Sequence, residues 1–274
     1  YCSYIYQLVK VFLLLNIIVL MDFLNEFVLL LKARYPIIYI STSEEERIEY
    51  LIKYCAKKYL IRTYYCWDFV DGYQGNLNDV GFATKNPLEA LELISKVTPN
   101  IAAIFVLKDY DNFLKDFTIV RRLKNLSRSL KTQTKNIVIV SSVVNIPESL
   151  KEFVTLIEFP LPTYVEILEE LNRLLFSLQH EIKISTLRNI ATASQGLSLE
   201  RIRRVLSKII AKNGGIVDSS SNLILQEKKL VIQESQILEF CSKTKNLLDV
   251  GGLDNFKDWV KLRYKAFSQD ASLY

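Results

Sequence analysis

Residues Ile37 to Cys55 read IIYISTSEEERIEYLIKYC. The opening IIYIST follows Pro36 and is a short apolar, β-branched run of the kind that forms a buried strand. Ser43 with Glu44, Glu45 and Glu46 then places a cap and first-turn acids ahead of apolar residues at helical spacing. Strand followed by helix makes a first βα unit, and the residues that join the two decide what the unit can bind. A phosphate-cradling loop needs glycines, so that backbone N–H groups can approach the anion, and a Lys to meet its charge. STSEEER holds neither. Three adjacent carboxylates at the helix start would satisfy the helix dipole themselves and repel phosphate.

The pattern continues outward from that unit. RTYYCWDFV predicts a second strand, GYQGNLNDVGF a turn-rich loop, and NPLEALELISKV a helix with Asn86 as cap and Pro87 at its first position. Ala102 to Leu107, AAIFVL, is a continuous apolar run, as in a central parallel strand covered on both faces, and it leads into KDYDNFL. Helix FTIVRRLKNLSRSLKT, strand NIVIVSS, loop VVNIPESLKEF and strand VTLIEFPLP follow. This alternation predicts a parallel five-stranded sheet with helices on both faces, over residues 21–162. From Thr163 the strand signal disappears. A helical lid over residues 163–213 contains YVEILEELNRLLFSL and a helical pair broken at Gly196, and GGIVDSSSN opens a linker and helix over 214–246.

Half of the 274 residues are hydrophobic, enough for a sizeable core. The 35 Lys and Arg are interspersed with 30 Asp and Glu, for a formal charge of +5, which argues against nucleic acid as a partner. Arg201, Arg203, Arg204, Lys208 and Lys212 form the best basic stripe, and a solvated helix face explains them. Cys2, Cys55, Cys66 and Cys241 lack metal-site spacing and read as reduced, mostly buried thiols. His180, the single histidine, sits in a polar helical stretch as a surface residue, which leaves nucleophilic triads and histidine-based metal sites without material. The only methionine is Met21, so translation is expected to begin there, with residues 1–20 an apolar extension. Its VFLLLNIIVL is shorter than the roughly 20 residues a spanning helix needs. Extending it meets Asp22 and Glu26, so a membrane anchor is not expected.

Chemistry has few places to sit. Asp109, after the strand AAIFVLK, stands where a parallel-sheet ATPase presents an acid to magnesium. The next residue, where such enzymes keep a Glu to polarise water, is Tyr110. Without a phosphate loop beside it, Asp109 is expected to cap the following turn or pair with a Lys or Arg. Asp109 with Asp111 as an isolated metal pair lacks a third ligand.

The motifs in order resemble a known family. VVNIPESL followed by VTLIEFPLPTYVEILEEL is similar to the fourth and fifth strands of an AAA ATPase module. There an Asn-x-Pro follows the fourth strand and a Phe-Pro-x-Pro turn leads into the lid. Asn145 matches that family's first sensor residue, ATASQGLSLERIRRVL resembles a lid segment, and LLDVGGLDNFKDWVKLR resembles the Asp-Val-Gly-Gly start of an AAA module. The order of these segments resembles the hypothetical chloroplast reading frame forty-six proteins, AAA ATPases of algal plastids and cyanobacteria that carry a degenerate AAA-like region before an intact module. The resemblance implies that residues 21–162 keep the fold without an ATPase site, with Asp109 and Asn145 vestigial. The segment from Asn145 to Phe159 is too short for arginine fingers. It further implies that residues 247–274 start a second module, in which Val250 and Gly251 would lie against adenine in the full-length protein. ATP and Mg would serve that module alone, with none bound by this chain. Self-association as an AAA oligomer, an unidentified protein partner, and a plastid (or, in a cyanobacterium, cytoplasmic) setting complete what the resemblance implies. A non-catalytic scaffold is the alternative reading.

Overall fold

The computed structural model describes residues 22–74, 80–178, 182–216, 220–234 and 251–260. His180, Cys2, Cys241, Val250 and residues 1–21 lie outside them. The chain separates near Leu225 into two units. The first holds a sheet and the helices that follow it.

Helix α1 covers residues 22–32 and leads into β1 (Ile37–Ser41). Helix α2 (Glu45–Cys55) continues through a π-helical turn, Ala56–Leu60, to β2 (Thr63–Asp68), β3 (Gly72–Gln74) and α3 (Pro87–Lys96). Then come β4 (Ala103–Lys108), a 3-10 turn at Tyr110–Phe113, α4 (Phe117–Leu130), β5 (Lys135–Ser141), a second 3-10 turn at Glu148–Phe153 and β6 (Val154–Glu158). Four helices complete the order: α5 (Tyr164–Leu178), α6 (Ile184–Ser194), α7 (Leu199–Asn213) and α8 (Ser220–Glu234).

The sheet has six strands in the order β3-β2-β4-β5-β1-β6. Five are parallel, as the alternation predicted, with Ile37 opposite both Ile137 and Val154 and Phe105 opposite Ile137. Side chains alternate between faces along each strand, and the two faces are both covered. Ile37, Tyr39, Trp67, Phe105, Leu107, Ile137 and Ile139 meet α3 and α4 on one side. Ile38, Ile40, Cys66, Ile104, Val106, Val138 and Val140 meet α1 and α2 on the other. All seven residues of β5 are buried.

Two expectations need correction. The sixth strand, β3, lies in the predicted turn-rich loop and pairs antiparallel with β2 through Trp67 and Tyr73. At three residues with a glycine it carries no strand signal of its own. It forms because Tyr73 is fully buried and donates its hydroxyl proton to the Ala90 carbonyl at 2.7 Å. Ser43 is not the cap of α2: the cap position belongs to Glu44, which makes no side-chain cap bond, and the Thr42 hydroxyl accepts the Glu44 N–H at 3.0 Å. The Glu44 side chain is engaged elsewhere. Asn86 does cap α3, accepting the Glu89 N–H at 3.1 Å, and Cys55 and Cys66 are buried free thiols. Burial pushes the Cys55 thiol up to about 11.

Gly72 at the start of β3 has φ +72, and a Cβ there would meet the Phe82 carbonyl oxygen at 2.5 Å. Gly81 has a similar φ of +74 with open space around it. Gly81→Ala should therefore cost only the left-handed strain, about 1–2 kcal/mol. Gly72→Ala should cost clearly more because backbone must move. Urea denaturation of the two variants checks the order.

Candidate functional site

In parallel α/β sheets, ligands sit in the crevice outside the carboxyl ends of the strands. Here that crevice, about 640 Å³, lies at the β1–α2 junction and is bordered by Glu44, Glu45, Glu46, Arg47, Leu199 and Arg203. Its geometry follows from how the three glutamates are used. Each faces a cation from a different part of the chain.

Glu44 pairs with Arg47 one turn along α2, and both side chains are largely shielded from water, at 3% and 12% exposure. Its other oxygen accepts the Leu199 N–H at 2.6 Å. Leu199 is the first residue of α7, after the Ser198 cap, so this N–H is one of the donors a helix leaves open at its start. A carboxylate from a distant segment thus occupies the positive end of α7.

Arg47 makes the contact that joins the halves. Its guanidinium forms a fork with both Glu166 oxygens at 2.9 Å. It also donates to the Pro160 carbonyl at 2.7 Å and lies over the Phe159 ring, 4.4 Å from the centroid. Glu166 is itself held in place. The Thr163 hydroxyl accepts the Glu166 N–H at 3.3 Å, and Glu166 accepts the Thr163 N–H at 2.9 Å. This is a capping box, Thr-x-x-Glu, at the start of α5. TYVE at residues 163–166 was the available sequence signal for Glu166.

Glu45 and Glu49 each reach Lys108 at 2.8 Å. Burial works against the Lys108 ammonium, but the two carboxylates carry its pKa above the ordinary lysine value. Burial likewise works against the Glu49 carboxylate, and Lys108 and Lys53 outweigh it and pull its pKa down. Glu46 meets Arg203 at 3.4 Å, and Arg203 also holds Glu170. Arg204 pairs with Glu200 at 2.9 Å, so two members of the α7 basic stripe face carboxylates.

Asp109 and Asn145 come together in a second, smaller cleft of about 380 Å³ at the ends of β4 and β5, with Asp111, Ser141 and Ser142. Asp109 has a left-handed φ of 50° and makes no side-chain cap bond to the turn that follows. Nor does its carboxylate sit within ion-pair distance of a cation among the described residues, because Lys108 is turned to α2. Neither expected role, cap or pair, is what the geometry contains. Partial burial, then Glu45 and Asp111, push the Asp109 carboxyl up, with Lys108 opposing. Asp111 is buried with one carboxylate oxygen unpartnered. No group of three or more His, Cys, Asp or Glu side chains among the described residues is placed to hold a metal. Tyr110 is fully buried, its hydroxyl donating to the Pro87 carbonyl at 2.7 Å and its ring meeting Trp67 edge-on.

In the second unit, Gly251 is exposed, Gly252 has φ +69, and residues 254–260 are helical, with the Phe256 and Trp259 rings stacked at 6.1 Å. No helix of the described residues is long and apolar enough to cross a membrane.

A six-stranded, mostly parallel sheet in this order, with helices on both faces, is that of an α/β module of the AAA type. The chain belongs to the SpoVK-like AAA ATPase family, whose N-terminal domain matches residues 23–159 and whose second domain matches residues 165–235. It is similar to the uncharacterized AAA domain-containing protein ycf46 of Trieres chinensis, 50% identical over 254 residues that make up 93% of this chain and 51% of that protein. The ycf46 protein of Guillardia theta is 47% identical over 256 residues, with the same shares. The chain spans about half the length of these relatives. Among solved structures, the FIGL-1 AAA domain in complex with ADP superposes with a TM-score of 0.52 at 11% identity, covering 83% of this chain and 78% of that one. That likeness is one of fold.

Two outcomes are expected of this site. Arg47→Ala leaves Glu44 and Glu166 shielded without their counter-charge and should cost about 3–5 kcal/mol, read as a fall in the urea midpoint. Asp109→Asn should raise the melting temperature at neutral pH. A carboxyl whose pKa is raised on folding destabilises the folded state while it is ionised, so removing it helps there. The gain should vanish at pH below the ordinary aspartate range, where the carboxyl is protonated in both states.

Proposed function

We propose that this chain is the N-terminal, catalytically degenerate part of an AAA-family ATPase that works in the plastid. In this reading the full-length protein binds and hydrolyses ATP with Mg to remodel a partner protein, and the chain itself contributes structure rather than turnover. The observation that carries it is the Glu44 carboxylate at the start of α7, paired with Arg47. A triphosphate placed beside the β1–α2 junction would have to displace this carboxylate from an N–H and a guanidinium that it already satisfies. It would also face Glu45 and Glu46. The residues present do not fit the group.

Residues 21–162 form the degenerate AAA-like domain in this proposal, 163–213 its lid, 214–246 a linker and helix, and 247–274 the start of the ATPase module. Asp109 and Asn145 are vestiges of a catalytic cleft, and Tyr110, packed in the core, leaves no carboxylate to activate water. Val250 and Gly251 would contact adenine only when the second module is complete. ATP and Mg therefore belong to the full-length protein. Self-association as an AAA oligomer belongs to the same reading.

The scaffold reading is favoured by the same cluster, since Arg47 and Glu44 tie the sheet to α5 and α7 through the chain's own side chains. Such a domain would hold one shape through a neighbour's nucleotide cycle. Calorimetric titration with ATP and Mg should show no binding tighter than about 1 mM, about −4.1 kcal/mol. Micromolar binding by this chain would overturn the reading.

A further inference from the structure

The charges of this chain are unevenly used. Around the β1–α2 crevice nearly every cation faces a carboxylate, including Arg203 and Arg204 of α7. Helix α4 is different. From Lys115 to Lys131 there are six cations, Lys115, Arg121, Arg122, Lys124, Arg128 and Lys131, and one acid. That acid, Asp116, is occupied as the helix cap, accepting the Thr118 N–H at 2.7 Å. The segment's net +5 equals the formal charge of the whole chain.

Four of these cations lie in one row. Arg121, Lys124, Arg128 and Lys131 are spaced by three, four and three residues, which places them on a single helix face, with about 4.5–6 Å of rise between neighbours. The opposite face, Ile119, Leu123, Leu126 and Leu130, is buried in the core. Arg122 points away from the row, donating to the Ser95 hydroxyl at 2.8 Å. None of the four in the row is within ion-pair distance of a carboxylate among the described residues, and on the 3-10 turn that packs against α4, Glu148 is paired with Lys151. Lys124 lies over the Phe153 ring, 5.7 Å from its centroid. At the head of the row stands Phe117, 81% exposed. Just before it, Phe113 stacks on the half-exposed Phe69 at 5.1 Å.

We propose that this face of α4 binds single-stranded nucleic acid, the cation row following the phosphodiester backbone and Phe117 offering a stacking surface to a base. The even mix of charges over the whole chain argued against nucleic acid, but the charge is concentrated locally here, and an uncompensated row of cations attracts a polyanion. Exposed aromatic rings at its end favour a strand with flat bases over a run of acidic side chains, which have nothing to stack. Insertion into a lipid surface is disfavoured because the apolar face of α4 is already spent on the core.

Fluorescence anisotropy of the full chain with a labelled oligothymidylate of about 20 nucleotides tests this. At about 50 mM salt the dissociation constant should be on the order of 10 μM, and log K should fall with log salt at a slope of about −3, for four phosphates neutralised. Arg121→Gln with Arg128→Gln should flatten the slope by about half. Both side chains are exposed, so an unchanged melting temperature confirms that the variant is folded. Phe117→Ala should weaken binding about tenfold at every salt concentration without changing the slope. Arg204→Gln with Lys212→Gln removes the same charge from α7 and should leave the slope as it was. Absence of saturable binding at low salt would overturn the proposal, as would an equal effect from the α7 pair. So would tighter binding of polyglutamate or of phosphatidylserine vesicles, which would assign the face to an acidic protein or a membrane surface.

Discussion

The Arg47 guanidinium is the point through which the sheet and the helices after it are joined. Four groups converge on it: Glu44 from its own helix, the Glu166 fork from α5, the Pro160 carbonyl and the Phe159 ring. Arg is suited to this because its planar, always charged fork can bond a carboxylate in two places while its flat face rests on a ring. An ion pair so shielded is worth less as a source of stability than as a demand for geometry, since every misplacement leaves a charge without a partner. The turn after β6 must hold its carbonyl in place, α5 must begin at the Thr163 cap, and α7 must start within reach of Glu44.

That arrangement also explains how a loop without glycine can serve at the end of β1. Glycines serve where a bound anion must come close to the backbone. Here the anion is a side chain, tethered by its own helix, so it reaches the α7 start without any special backbone at residues 42–44. The three glutamates are each other's repulsive neighbours, yet Arg47, Lys108 and Arg203 separate them onto three partners.

How much of this the sequence could tell depended on the range of the interaction. The five parallel strands and their helices were legible because their apolar runs and caps are local, as at Asn86–Pro87. Strand β3 was not, since its formation depends on Tyr73 finding the Ala90 carbonyl across a loop and a helix. Asp109 and Asn145 could be named from the ends of their strands, but the reach of Lys108 toward α2 instead of Asp109 could not. Arg47–Glu166 spans well over a hundred positions, and only its half at Thr163–Glu166 leaves a trace in the order of residues. The basic residues show the same limit: in sequence the α7 stripe looked the stronger, and only the pairing of Arg203 and Arg204 reveals which helix keeps its charge bare.

Tyr110 limits which side chains its position can hold. Its ring is part of the packing with Trp67 and Phe113, and its hydroxyl closes the Pro87 carbonyl. A Glu at this position would leave a hole where the ring had been, strand that carbonyl, and put a carboxylate in apolar surroundings. Each step costs on the order of 1–3 kcal/mol or more before any chemistry could be gained. The core is built around the ring at this position, so an acid there would be reached only through less stable intermediates.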